Sequence, residues 1–414
     1  MWVPTLYFTE GLPYFIVNVI SVIMFKRLGI DNASIAMYTS WLYLPWVIKP
    51  FWSPFVDMLS TRRRWIIATQ LFMGAALSSI AFLIPVSNFF QWTLCIFWLM
   101  AFSSATHDIA ADGFYMLGLS EVEQSAYSGI RSIFYRIATI FGQGVLVILA
   151  GKLETHTGNV ATAWSITFAI TSLIMFILGT CHHYLLPTPD DDTPRETSRA
   201  YTNFKNIIIS YIKKPGIICA LLFMLLFRLP EAQLVKMLNP FLLDGRDAGG
   251  LALTTEQIGY TYGTIGVIGL ILGGILGGIC IALKGLKFWL WPMVIAISLP
   301  NIVYVYLSYT QPESLLTINS CIFIEQFGYG FGFTAYMLYL IYFSKGEYAT
   351  AHYAISTAFM ALGMMLPGMV AGYIQEAIGY KYFFIWIMIC CIATFAVSSM
   401  LKIDPEFGMK SKKQ

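Results

Sequence analysis

The amino-acid sequence predicts an all-α polytopic membrane protein with twelve transmembrane helices. Of its 414 residues, 57% are hydrophobic, only 11% are charged, and the mean hydropathy is +0.69. Soluble domains carry about 25% charged residues, so this chain has too few charges to cover a water-facing surface. The composition therefore argues against a soluble enzyme, a nucleic-acid-binding protein and a disordered protein.

Apolar runs long enough to cross a bilayer recur along the whole chain. A hydrocarbon core of about 30 Å needs about 20 helical residues, and in lipid such runs satisfy their backbone as helices. Six runs lie in the first half of the sequence, at 3–25, 33–56, 65–86, 90–115, 127–150 and 160–184. Six more lie in the second half, at 216–241, 256–282, 286–308, 314–343, 348–374 and 380–401.

One sizeable polar stretch, residues 185–215, separates the two sets of runs. It opens with prolines and with the acidic triplet Asp190 to Asp192, and it continues with arginines and lysines. We therefore expect an N-terminal six-helix half at 1–184, a cytoplasmic linker, and a C-terminal six-helix half at 216–414 that ends in a short basic cytoplasmic tail.

The lysines and arginines of the loops predict the orientation, because cytoplasmic loops are enriched in them. With both termini inside, the cytoplasmic loops and tail hold fifteen such residues. The outer loops then hold five, namely Lys26, Arg27, Lys152, Arg246 and Lys381. Since no basic residue precedes the first apolar run, we expect that run to remain as a span and not to be cleaved as a signal peptide.

The two halves also echo each other in sequence. Glu123 opens the fifth run and Glu347 opens the eleventh, and Gly144 and Gly368 follow them at matching offsets. Two parallel six-span halves are typical of the major facilitator architecture, in which the substrate binds between the halves near the midplane.

Ionisable residues inside the runs are candidate functional groups, because each costs about 2.5–3.5 kcal/mol on insertion scales. In the major facilitator architecture, runs one, four, seven and ten line the central cavity, and each of them carries a carboxylate here. The candidates are Glu10 in run one, Lys49 in run two, His107, Asp108 and Asp112 in run four, Arg131 and Arg136 in run five, Arg228 and Glu231 in run seven, and Glu325 in run ten.

Asp108 and Asp112 are four residues apart, so their carboxylates share one face of a helix. Two close carboxylates repel each other when both are ionised, and one of them tends to hold a proton. This pattern favours proton coupling. The alternative is a structural clamp in which the two aspartates pair with Arg131 and Arg136. For His107, a packing role stands beside substrate binding.

Arg228 and Glu231 flank Pro230, which removes a helical hydrogen bond and can kink run seven. The Arg228 guanidinium can bind a substrate carboxylate or phosphate, or it can pair locally with Glu231. We therefore expect proton coupling at Glu10, Asp108 and Glu325. The expected substrate-binding residues are Arg228, Glu231, His107, Gln326 and Tyr115.

A further set of charges is expected to form a structural clamp or gate. It includes the loop between runs two and three, which is similar to the major facilitator loop that closes the cytoplasmic side. The expected members are Asp112, Arg131, Arg136, Lys49, Asp57, Arg62 and Arg63. The sequence has no phosphate loop, no zinc spacing and no catalytic loop, so we expect no cofactor, no metal and no enzymatic activity.

Several strings resemble the AmpG-type muropeptide permeases of the major facilitator superfamily, which are distantly related to acetyl-CoA transporters. In run seven, Arg228-Leu-Pro-Glu231 stands where that family tends to have Lys-x-Gly-Asp. The matching strings are Gly11-Leu-Pro13, Lys49-Pro-Phe-Trp52-Ser-Pro54-Phe-Val-Asp57, Ala68-Thr-Gln70, Asp108-Ile-Ala-Ala-Asp112 and Pro367-Gly-Met-Val-Ala-Gly372.

The resemblance implies proton-driven import of N-acetylglucosaminyl-1,6-anhydro-N-acetylmuramyl peptides, which are products of cell-wall turnover, across the inner membrane into the cytoplasm. The implied partners are a small amino-sugar substrate, protons and the lipid bilayer, with no nucleic acid, and we expect a monomer. A different ligand, such as acetyl-CoA, a siderophore or another oligosaccharide, stays open, as does a receptor that binds without transport.

Overall fold

The computed structural model describes residues 2–190, 192–194 and 197–409. The side chains of Asp57, Glu121, Ser125, Ser128 and residues 197–204 lie outside this description, and so does the predicted basic tail from residue 410 onward. Within the described residues the regular elements are helices: α-helices, three π-helical turns and two short 3-10 turns.

Eight helical stretches of the described chain are long and apolar enough to cross a membrane. Two of them, Thr255–Thr310 and Ala349–Ser399, have 56 and 51 residues, or about 75–85 Å at 1.5 Å per residue. Each reverses at one glycine, Gly285 (φ 79°) or Gly379 (φ 73°), whose left-handed backbone only glycine adopts at little cost. Each therefore supplies two spans.

Two further helical stretches bring the described chain to twelve spans, as the sequence predicts. They are Asn32–Trp41, which continues as Leu44–Leu59, and Leu315–Ser344. In chain order, spans 1 to 6 are Val3–Arg27, 32–59, Arg62–Leu83, Phe89–Gly118, Gly129–Thr157 and Val160–Leu185. Spans 7 to 12 are Ile217–Leu243, 255–284, 286–310, Leu315–Ser344, 349–378 and 380–399. The polar linker contains a helix of its own, Thr197–Ile212.

Span 7 is broken where its charged residues lie. One helix, Ile217–Leu226, ends before Phe227, and the next, Leu229–Leu243, begins after Arg228, with Pro230 in its first turn. Proline is tolerated in that turn because the missing N–H has no helical partner there. The break presents the Arg228 side chain at the joint between the two helices.

Spans 8 and 10 pack backbone against backbone. A Cβ added at Gly273 of span 8 would lie 2.0 Å from the Phe327 carbonyl oxygen of span 10, and one at Gly330 would lie 2.1 Å from the Leu270 carbonyl oxygen. Small residues allow this close approach in membranes, where packing contacts rather than burial from water hold helices together. We refer to Gly269, Gly273, Gly277 and Gly330 as the glycine stripe.

The chain forms two compact units. The first contains residues up to Ile30, Leu42–Lys205 and Thr254–Gly259, and its core surrounds Tyr7 and Phe114. The second contains Asp31–Trp41, Asn206–Leu253 and the residues from Tyr260 onward, and its core surrounds Phe223, Phe227 and Tyr336. Asp31–Trp41 is fixed within the second unit by Asn32, whose amide donates to Gln375 Oε1 (2.6 Å) and to the Tyr380 hydroxyl (2.9 Å).

Candidate functional site

The first unit holds a cluster of charges contributed by spans 1, 2, 4 and 5. The Lys49 ammonium donates to Asp108 Oδ2. Arg131 Nη2 lies 2.6 Å from Asp112 Oδ1, and the Tyr7 hydroxyl donates to the same oxygen over 3.3 Å. The two aspartates, one helical turn apart, therefore bind different cations from different spans.

Aromatic rings cover the arginine of this cluster. The Arg131 guanidinium carbon lies 4.4 Å from the ring centre of Tyr7 and 5.6 Å from that of Tyr115. Such cation–π contacts favour the charged guanidinium where water is scarce. The Tyr115 hydroxyl donates to the carbonyl of Gln124, so Tyr115 contributes its ring to the cluster.

Glu10 is the third carboxylate of the cluster. Its residue is 7% exposed, and it interacts electrostatically with Asp108, Asp112 and Arg131. Its Oε2 is buried and has no hydrogen-bond partner among the described residues. Three carboxylates, Glu10, Asp108 and Asp112, thus face two cations, Lys49 and Arg131. The cluster carries one excess negative charge unless one carboxylate holds a proton.

His107 lies next to Asp108 in sequence but faces a different set of groups. Its Nε2 lies 2.9 Å from Gln70 Nε2, Gln70 Oε1 lies 2.8 Å from His182 Nδ1, and His182 Nε2 lies 2.9 Å from Thr5 Oγ1. This buried polar chain joins spans 1, 3, 4 and 6. His182 was not predicted from the sequence. It lies at the end of an apolar run, and the run does not show that its side chain points into the bundle.

The Arg62 side chain packs against Gly113, the residue that follows Asp112 of the cluster. Arg136 is exposed. The backbone N–H groups of Arg62 and Arg63 donate to the two carboxylate oxygens of Asp192, over 2.8 and 3.0 Å, and the Arg63 side chain donates to the carbonyl of Leu186. Asp192 therefore caps the start of span 3, a role that favours a carboxylate because helix N-termini are positive. The Asp57 side chain is outside the described residues.

The second unit holds a buried ion pair at the break in span 7. Arg228 Nε donates to Glu231 Oε2 over 2.8 Å and Arg228 Nη2 donates to Glu231 Oε1 over 2.7 Å. Arg228 Nη2 also donates to the Tyr329 hydroxyl over 2.9 Å, and the guanidinium lies 4.8 Å from the ring centre of Phe333. Two parallel bonds to one carboxylate are the strong geometry for arginine.

Glu325 lies in span 10, at a small cavity that it shares with Glu231. Glu325 Oε2 accepts from the Tyr304 hydroxyl over 2.6 Å and from Gln326 Nε2 over 2.9 Å, and the residue is 5% exposed. Both donors are neutral, so no cation compensates this carboxylate within the described part of the chain. The lining of the cavity includes both Glu231 and Glu325.

A buried lysine in span 7 escaped the sequence analysis. Lys236 is 1% exposed, and its Nζ lies 3.0 Å from Thr39 Oγ1 within the second unit. The signal was present, because an ionisable residue inside an apolar run is a functional candidate.

Comparison with known proteins agrees with this architecture. The family model described as Major Facilitator Superfamily matches residues 5–366. The chain is similar in structure to a D-xylose-proton symporter (TM-score 0.72, 11% identity, 98% of each chain). It is also similar to the nucleoside transporter NupG (TM-score 0.71, 16% identity, 97% of this chain and 99% of that one). These two likenesses concern the fold, and they confirm the predicted major facilitator architecture with twelve transmembrane helices.

Relatives in sequence include proteins named as AmpG transporters. A Rickettsia conorii protein named as transporter AmpG 4 is 26% identical over 402 residues, covering 92% of this chain and 91% of the relative. The Anhydromuropeptide permease of Escherichia coli strain K12 is 25% identical over 388 residues, covering 92% of this chain and 74% of the permease. The resemblance seen in the sequence strings is thereby confirmed, and the chain belongs to the Major Facilitator Superfamily, as a multi-pass membrane transporter of the AmpG type.

Proposed function

We propose that this transporter is a proton-coupled symporter that imports anhydromuropeptides or related amino-sugar saccharides from the periplasm to the cytoplasm by alternating access. The observation that carries the proposal is the charge imbalance of the first unit. Three carboxylates face two cations there, and one of the carboxylates, Glu10, has a buried oxygen with no hydrogen-bond partner among the residues that the structure describes. The name of the permease relative supports the substrate class.

The proton would bind within the cluster of Glu10, Asp108 and Asp112. A buried carboxylate with no cation of its own is costly when ionised, and like charges nearby raise that cost. Protonation makes the cluster neutral overall, which permits it to be closed off from water. Deprotonation toward the cytoplasm restores the charge and favours release, as alternating access requires.

The substrate would bind partly through the second unit. Muropeptides carry carboxylates, and Arg228 is a buried guanidinium already held in a carboxylate-binding geometry by Glu231. Planar two-point binding of a carboxylate is the arrangement for which arginine is suited. Gln326 of the second unit and Tyr115 of the first unit are proposed as further substrate-binding residues.

The proposal extends to the setting of the protein. It places the chain as a monomer in the inner membrane with both termini in the cytoplasm, which the distribution of lysine and arginine favours. The six-helix halves at 1–184 and 216–414 would rock about the substrate, joined by the linker at 185–215. The proposed partners are protons, the amino-sugar substrate and the lipid bilayer, and no nucleic acid.

Uptake into proteoliposomes tests this function. The labelled disaccharide N-acetylglucosaminyl-1,6-anhydro-N-acetylmuramic acid should accumulate only with an inward proton gradient. Accumulation without a gradient would contradict proton coupling. Absence of uptake in folded protein would contradict the substrate class and direct the search to acetyl-CoA, siderophores and other oligosaccharides.

A further inference from the structure

The last turns of the linker helix, Thr197–Ile212, belong to the second unit and pack on span 11. Tyr211 is 2% exposed, its hydroxyl lies 2.9 Å from Ser356 Oγ, and its ring stacks on that of Phe359. Five side chains here are turned away from solvent, namely Ile207, Ile208, Ser210, Tyr211 and Lys214. This spacing is that of an amphipathic helix, and its less exposed face contacts span 11.

His352 of span 11 lies against these turns. The residue is 3% exposed, and its Nε2 lies 3.3 Å from the Ile207 carbonyl oxygen and 2.9 Å from Ser210 Oγ. A carbonyl oxygen can only accept, and the Ser210 hydroxyl donates its own proton to that same carbonyl over 2.9 Å. His352 Nε2 must therefore carry a proton and donate it to the linker.

The other ring nitrogen of His352 makes the contact specific for the neutral side chain. Its Nδ1 is buried and has no hydrogen-bond partner among the described residues. In a neutral imidazole with its proton on Nε2, Nδ1 is a bare acceptor. A second proton would place a charge and a new N–H donor at this buried atom, and burying such a group is costly. The docked linker therefore fits the neutral histidine.

Among the described residues, the charged group that acts on His352 is itself positive. It is Lys214 of the linker, whose Nζ donates to the carbonyls of Phe343 and Lys345 at the end of span 10, over 2.6 and 2.7 Å. These two bonds hold the ammonium in place. Repulsion between like charges therefore opposes a positive charge on His352 while the linker is docked.

The remaining groups around the imidazole are phenols and apolar side chains. Tyr211 of the linker and Tyr348, which precedes span 11, have ring centres 5.3 and 6.0 Å from that of His352. Spans 7 and 10 contribute Met224 and Phe343 to the surroundings of Tyr211, and neither side chain titrates. Within the described part of this contact, histidine is thus the side chain that changes charge near neutral pH.

We infer that His352 is a pH-sensitive latch: the neutral imidazole holds the linker on span 11, and protonation from the cytoplasm releases the linker. The inference goes beyond the proposed function, and only the side of the membrane on which the linker lies rests on it. The docked linker contacts span 10 through Lys214 and span 11 through Ser210 and Tyr211. Release would remove this shared support from the two spans, so transport would slow as the cytoplasm becomes acidic.

Proton uptake accompanies release of the linker. The docked His352 holds one proton, on Nε2, whereas a released histidine gains a second one near the ordinary pKa of about 6.5. Docking is therefore fully present above about pH 6.5. Its equilibrium constant should fall by up to about tenfold for each pH unit below that value. In a symporter that imports protons, this response would limit further entry of acid.

Hydrogen exchange tests the latch without any substrate. In the full-length protein in nanodiscs, protection at residues 206–214, corrected for the pH dependence of intrinsic exchange, reports docking. Wild-type protection should fall by up to about tenfold per pH unit below about pH 6.5. His352→Gln keeps an N–H donor for the linker but cannot titrate, so its protection should stay constant. Constant protection in the wild type, or a pH dependence that persists in His352→Gln, would overturn the inference.

His183→Gln, a change at an exposed histidine, is the matched control and should behave as the wild type does. Two further variants decide the question if His352→Gln folds poorly. His352→Arg carries a permanent charge, so its protection at neutral pH should already be as low as in the acidified wild type. Tyr211→Phe loses a hydrogen bond to Ser356, so the linker should be released at a higher pH. Wild-type protection in His352→Arg, or an unchanged pH of release in Tyr211→Phe, would overturn the latch.

Uptake measurements then test the consequence for transport. Proteoliposomes are prepared with internal pH about one unit above and about one unit below 6.5, at the same inward proton gradient. Uptake of the anhydro-disaccharide should fall at least about twofold more in the wild type than in His352→Gln on internal acidification. An equal fall in both would overturn the control of transport by the linker. Absence of uptake in every variant would contradict the proposed substrate, and hydrogen exchange would then decide the latch by itself.

Discussion

Replacing Arg228 by leucine would remove the cation of the buried pair and leave Glu231 facing the cavity. The two side chains are only 10% and 12% exposed and share two hydrogen bonds of 2.7 and 2.8 Å. Removing one partner of such a pair costs about 3–5 kcal/mol, because the remaining charge stays buried without compensation. We expect a loss of that size in the free energy of unfolding of Arg228→Leu at neutral pH.

The double variant Arg228→Leu/Glu231→Leu separates the ion pair from the packing. Replacing both charges with apolar groups of similar volume is often neutral or stabilising by about 1–4 kcal/mol. The double variant should therefore be at least as stable as the wild type, while its uptake of the disaccharide is lost. If the double variant regains stability but does not transport, the ion pair is required for transport and not for stability.

A more exposed pair in the first unit is the matched control. Lys152 Nζ and Glu256 Oε1 lie 4.0 Å apart, and the two side chains are 60% and 33% exposed. Lys152→Leu should lower the free energy of unfolding by about 1 kcal/mol or less. Reversible unfolding in mixed micelles, followed by tryptophan fluorescence, measures all variants. A cost for Arg228→Leu no larger than for Lys152→Leu, or a double variant no more stable than the single one, would refute the reasoning.

Three further predictions concern the charge cluster of the first unit, the glycine stripe and the first turn of the helix Glu121–Thr139 that leads into span 5. Glu10→Gln should leave folding intact and reduce the rate of proton-driven uptake at least tenfold, which corresponds to about 1.4 kcal/mol in the activation free energy. Unchanged uptake in proteoliposomes would remove Glu10 from the mechanism. Gly273→Ala should lower the free energy of unfolding by about 1–3 kcal/mol, because its Cβ would lie 2.0 Å from the Phe327 carbonyl oxygen. Gly278→Ala, with open space around its Cβ, should be neutral or stabilising. Equal melting temperatures for the two variants would contradict this. Hydrogen bonds from the backbone and hydroxyl of Ser120 lower the pKa of the Glu123 carboxylate, so their stabilising effect holds above about pH 4.3 and is lost as pH falls through the lowered value. Hydrogen-exchange protection at residues 121–124, after correction for the pH dependence of intrinsic exchange, should then fall on acidification in the wild type and stay constant in Glu123→Gln.

The fold followed from sequence because its main determinant is local. The length and polarity of each apolar run define a span with no knowledge of its neighbours, and Gly285 and Gly379 mark two of the reversals. The helix inside the linker and the interruption of span 2 at Leu42 and Tyr43 were not predicted, since neither changes the hydrophobic run that contains it.

Which charges pair depends on how each helix is rotated about its axis, so the ion pairs were harder to predict from the sequence than the spans. The sequence placed Asp108 and Asp112 on one face and offered Arg131 and Arg136 as partners, but spacing along the chain could not select Lys49 for Asp108. The local pair of Arg228 with Glu231 was within reach, because residues three apart in a helix are neighbours. Contacts between residues far apart in sequence, such as that between Asp192 of the linker and the start of span 3, depend on the assembled tertiary structure.

The glycine stripe has a consequence for the genetics of this protein. Every missense change at a glycine adds at least one carbon atom, and at Gly269, Gly273, Gly277 and Gly330 that atom would lie within 3.0 Å of an atom of the facing span. On the other face of span 8, Gly274 and Gly278 have no atom nearer than 3.8 Å. A library of random single substitutions selected for activity should therefore show almost no tolerated alleles at the first four positions and many at the other two. The pattern of tolerated alleles would thus show which residues of span 8 contact span 10.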